Sequence, residues 1–107
     1  MSTGPDDAFG GTVKTISIDC AGVTDIAEFW QRYLDAVQPG DADLFGRNLD
    51  AFWDAIEGGG PGWPGPVRLV FTNTGQMKSL KTVDGGSFLE KLRRIAGEAT
   101  RIDIELT

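Results

Sequence analysis

The sequence predicts an α/β domain of two layers, a small three-stranded parallel sheet with about four helices on one face. Three observations predict it. Apolar residues recur at helical spacing over 26–37, 49–56 and 88–96, which makes amphipathic helices. Strand-like apolar stretches stand at 13–19, 67–71 and 101–107. The two kinds alternate, so successive strands are joined by helical crossovers, which demand parallel strands and right-handed connections.

In chain order, residues 1–11 are rich in Gly, Asp, Ser and Pro and read as a flexible tail, leaving 12–107 as a single domain. The first strand carries Ile16 and Ile18, and Gly22 turns the chain after it. Thr24 and Asp25 offer caps to the next helix, with Glu28 placed as in a capping box. That helix shows Ile26, Phe29, Trp30, Tyr33, Leu34 and Val37 as one broad stripe and stops before Pro39-Gly40. Trp30 and Tyr33 sit in mid-stripe, which assigns them to the core rather than to a ligand. Asn48 caps the following helix, whose buried face is Leu49, Phe52, Trp53 and Ile56. Gly58, Gly59 and Gly60 end it through a left-handed cap.

A loop with Pro61, Trp63 and Pro64 runs on to Pro66. Its glycines have no Walker lysine and no strand-to-helix context, which rules out a phosphate loop. Trp63 fits either a partner contact or local packing of the loop. Residues 67–71, broken only by Arg68, read as a central, mostly buried strand. A short helix is expected at 77–81. Ser87 and Glu90 form a capping box for the last helix, which buries Phe88 or Leu89, Leu92, Ile95 and Ala96 and leaves Lys91, Arg93 and Arg94 outside. In the last strand Ile102, Ile104 and Leu106 face in, while Arg101, Asp103 and Glu105 face out, so one sheet face meets solvent there.

Composition narrows the function. A net charge of −6 argues against direct nucleic-acid binding and favours a partner with a basic site. Histidine is absent, which removes Ser-His-Asp and Cys-His nucleophile systems and any imidazole metal ligand. No plausible ligand set for a metal or cofactor remains. Cys20 stands alone and reads as a small buried hydrophobe. There is no membrane span and no signal-peptide core, so the cytoplasm is the expected location. Asp50, Asp54 and Glu57 repeat at i, i+4, i+7 along one helix face. Like charges so spaced cost about 0.2–0.5 kcal/mol each on an exposed helix, and the dipole opposes the two nearer the C-terminus. The stripe is either a solvated face or a contact for something positive. One exposed helix offers no enclosing cleft, so carboxylate catalysis is not expected.

The stretch FGRNLDAFWDAI at 45–56 resembles the YGxNLDALWD signature of barstar-like proteins, intracellular inhibitors of microbial ribonucleases. Gly46, Asn48, Leu49, Asp50, Ala51, Trp53 and Asp54 coincide with it in unbroken register, and the element order over 13–107 is similar too. The resemblance implies a non-enzyme that docks this helix and the loop before it into the active-site cleft of a guanyl-specific ribonuclease, as a 1:1 complex formed by a protein that is monomeric when free. It implies that Asp54 takes the place of the scissile phosphate. Asp50 would reach the guanine-binding region or nearby arms of the cleft, Asn48 would support the loop and the helix start, and Gly46 would permit a tight turn. Trp53 would buttress the contact, Glu57 would join it as part of the acidic stripe, and Trp63 is an approximate match to the family's loop tryptophan.

The match has departures. Leu44 and Phe45 stand where the family often has two tyrosines, so apolar bodies remain for the interface but hydroxyls are lost. Arg47 replaces an acidic residue beside the contact helix, and Arg94 falls at or next to another. Such changes suit a target whose basic cleft is flanked by acidic patches. The alternative reading is a non-nuclease interaction or regulatory module on the same scaffold.

Overall fold

A computed structural model describes residues 13–107. The tail expected at 1–11 lies outside the described residues. The element order is β1 (Lys14–Asp19), α1 (Ile26–Val37), α2 (Leu49–Gly58), β2 (Val67–Thr72), α3 (Phe88–Glu98) and β3 (Asp103–Leu106). Short 3₁₀ turns occupy Ala42–Leu44 and Thr74–Met77. The expected four helices are thus three α-helices with two 3₁₀ turns. The short helix expected at 77–81 is the second of these turns, three residues earlier. It carries Gly75 and ends as Lys78 bonds back to Gly75, and four residues cannot sustain an α-helix.

The sheet order is β1-β2-β3, with both pairings parallel. Register fixes the two faces. Ile16, Leu69 and Ile104 share one row, and Ile18, Phe71 and Leu106 the next. The rows between them, Thr15, Arg68 and Asp103, then Ser17, Val70 and Glu105, point the other way. Arg68 and Glu105 form an ion pair on that outer face. The helices cover the apolar rows only, which makes the domain two-layered, as the alternation in β3 predicts.

Asp25 caps α1 by accepting from Glu28 N at 2.7 Å, and Ser87 caps α3 by accepting from Glu90 N at 3.2 Å. Between the layers lies an aromatic cluster. Trp30 meets Phe45, Phe52 and Phe88 at centroid distances of 5.4, 5.5 and 6.0 Å. Phe29 stacks on Phe71 at 5.4 Å. Cys20 is fully buried at the end of β1, and burial pushes its thiol pKa up to about 11, which keeps it protonated and inert.

Candidate functional site

The acidic helix α2 is seated by its apolar side. Phe52, Ala55 and Ile56 have no exposed surface, and Leu49 and Trp53 pack half-buried against the same core. At its start Asn48 has an extended backbone, and its side chain accepts from Ala51 N at 2.7 Å. The same amide donates to Gly46 O at 3.2 Å, tying the approach loop to the helix. At its end Gly59 adopts the left-handed cap, and Gly60 N donates to Asp54 O at 3.2 Å.

The tight turn before α2 is made by Arg47, at φ 54°, rather than by Gly46. Gly46 is favoured by space: a Cβ there would crowd Ala51 Cβ at 3.0 Å. Arg47 is exposed and donates to Gln31 Oε1 at 3.2 Å.

Asp50 and Asp54 are one turn apart, exposed, and in none of the ion pairs among the described residues. Glu57 departs from the stripe that its spacing predicts. Its carboxylate turns to the loop between α3 and β3, accepting from Thr100 N and Thr100 Oγ1 at 2.7 Å each and from Arg101 N at 3.2 Å. Arg101 also donates to Glu57 O at 3.0 Å. Glu57 is therefore a clamp between elements, and the free acidic surface of α2 is Asp50 with Asp54.

Phe45 is a second correction. Instead of offering its ring to an interface, it is buried against Trp30 and Tyr33. Leu44 carries the exposed apolar surface of this loop, at 72% exposure. Trp63 is half-buried against the core. Arg94 is exposed on α3 and in no ion pair among the described residues, while its neighbour Arg93 pairs with Glu90.

Two features escape a reading by local pattern. One is the pin that holds the Gly/Pro loop beside α2. Tyr33 OH donates to Gly62 O at 2.8 Å, and Gly62 N donates to Asp41 Oδ1 at 3.0 Å. A buried tyrosine hydroxyl needs a partner, which signals that such a bond exists, but not with which loop. The other is a groove of about 660 Å³ at the N-terminal end of α2, between Arg47 and Asp50 on one side and Lys81 and Val83 on the other. Trp30 also lines it, and its buried indole N–H has no acceptor among the described residues.

Chemically, two free carboxylates on a helix seated by its apolar side form a hydrogen-bond acceptor surface. Among the described residues no group of three acidic or cysteine side chains is placed to hold a metal ion. Comparison with family models matches residues 13–107 to Barstar, described as barnase inhibitor. No curated protein matches the chain.

Proposed function

The chain belongs to the Barstar (barnase inhibitor) family, and on that premise we propose that it inhibits a microbial guanyl-specific ribonuclease by plugging its active site. The family is one of inhibitors, not of catalysts. The observation that carries the reading is the state of Asp54. Its carboxylate is exposed and free of ion pairs among the described residues, on a helix anchored by the fully buried Phe52, Ala55 and Ile56. A ribonuclease binds phosphate with fixed cationic donors. A carboxylate held in that place accepts charge-assisted hydrogen bonds from them and excludes the substrate.

Asp50, one turn earlier, is placed to reach a second part of the same cleft. Asn48 and Gly46 fix the loop that approaches the enzyme, with Leu44 as apolar contact and Trp53 supporting the helix from beneath. Because its carboxylate is hydrated and has no internal partner among the described residues, Asp54 reaches the complex without breaking internal bonds. In this reading the protein acts in the cytoplasm, as a monomer that forms a 1:1 complex.

RNA cleavage by a panel of microbial guanyl-specific ribonucleases, titrated with the protein, tests this. Stoichiometric inhibition is expected, and Asp54→Ala is expected to lose at least about 2 kcal/mol of binding, roughly thirtyfold or more in affinity. Full inhibition by the variant would move the hot spot elsewhere. Failure against every enzyme of a varied panel would leave the fold with a non-nuclease partner.

A further inference from the structure

The groove beside the N-terminus of α2 has the opposite electrical character to the helix it adjoins. Its lining holds three cations, Arg47, Lys81 and Lys91, against two carboxylates, Asp50 and Asp84, a local +1 in a chain of −6. Lys91 is already tied to Asp84 at 2.7 Å. Arg47 and Lys81 are exposed and in no ion pair among the described residues. Beneath them the groove is apolar, with Ile26 and Leu49 half-buried and Phe88 buried. On its far wall Val83 is entirely exposed, at 108%. Charges farther off than about 8 Å are screened at physiological salt, so a segment entering the groove meets these cations rather than the net charge of the protein.

We propose that this groove receives an acidic segment of the same ribonuclease, which lays an apolar side chain on Ile26, Leu49 and Phe88 and brings a carboxylate within reach of Arg47 or Lys81. The inference rests on the inhibitor reading and narrows its partner. Asn48, the cap of the contact helix, and Asp50, in its first turn, line the groove, so the two surfaces are continuous. An enzyme seated on Asp54 brings the rim of its cleft over the groove. Since α2 demands a basic centre and the groove an acidic rim, the matching nuclease is amphoteric, with carboxylates flanking a cationic catalytic cleft. The groove then discriminates among nucleases whose catalytic centres are alike, because a basic rim meets Arg47 and Lys81 as like charges.

The test uses the full chain and microbial guanyl-specific ribonucleases of both acidic and basic net charge. The wild type is expected to inhibit the acidic enzymes more strongly. Against the enzyme inhibited best, the double variant Arg47→Glu with Lys81→Glu is expected to bind about tenfold more weakly or worse, chiefly through slower association at low salt. Lys81→Glu alone, remote in sequence from α2, is expected to move in the same direction, which keeps the test valid if a change at the left-handed Arg47 disturbs the loop. Unchanged or tighter binding by these variants, with Asp54→Ala still disabling, would overturn the groove while leaving the inhibitor reading intact. A wild type that inhibits no ribonuclease would overturn that reading and the groove's nuclease partner with it.

Discussion

The Glu57 carboxylate accepts hydrogen bonds from Thr100 and Arg101, and these hold its pKa below the ordinary carboxylate value, the Thr100 hydroxyl contributing most. A group whose folded pKa is depressed adds stability that is present above its unfolded pKa, about 4.3, and is lost as pH falls through the folded value. Glu57→Gln is therefore expected to lower the melting temperature at neutral pH and to narrow the gap to wild type as pH drops below about 4. Thermal melts across that range check it, and a gap that does not change with pH would contradict it. A helical wheel groups Glu57 with Asp50 and Asp54 because it sees one helix, whereas the partner that removes Glu57 from the stripe is 43 residues away. Phe45 escapes the same way: its neighbours Trp30 and Gly62 are brought to it only by the finished fold. Asp54, Asp50 and Asn48 were legible because their exposure and capping follow from the helix's own period.

At the scale of elements, local grammar was the reliable guide. Caps at Asp25, Asn48 and Ser87 mark all three helix starts, since each cap binds an N–H within its own first turn. The Gly/Pro loop has no period to read, and its position depends on Gly62. With φ at 93° and the Phe45 ring against it, Gly62 has no room for a side chain, as a Cβ would lie 2.5 Å from Phe45 Cδ1. Gly62→Ala combines a left-handed backbone with overpacking of a buried ring, and about 2–4 kcal/mol of stability is expected to be lost. Urea denaturation measures it. A loss well under about 1 kcal/mol would show that the loop swings away without disturbing Phe45.

At the scale of the molecule, the two-layer architecture was legible because alternation in 101–107 marks a sheet face open to solvent and the apolar run at 67–71, broken only by Arg68, marks the central strand, without any tertiary information. The groove was not, since it joins the α2 entry to the turn before α3, more than thirty residues apart. The net charge of −6 acts at this scale too. Association with a nuclease of basic net charge is expected to slow steeply as salt rises, whereas with one of acidic net charge the overall repulsion offsets the attraction of the basic cleft and flattens that dependence, and stopped-flow mixing at low and high ionic strength measures both. With the basic enzyme, an association rate indifferent to salt would mean that long-range attraction plays no part.

The parallel sheet holds a further consequence. No strand supplies any of the exposed groups to which the proposed contacts assign partner choice: Leu44, Arg47, Asp50 and Asp54 ride on the crossover between β1 and β2, and Lys81 and Val83 on the one between β2 and β3. Substitutions at exposed positions away from caps and core contacts shift stability by only about 0.5 kcal/mol. Under the proposed function, heredity can therefore rewrite which enzyme is bound without touching the sheet and core that make the chain fold. A lineage confronted with a new nuclease would, on that reading, need to change only a few codons, all outside the sheet.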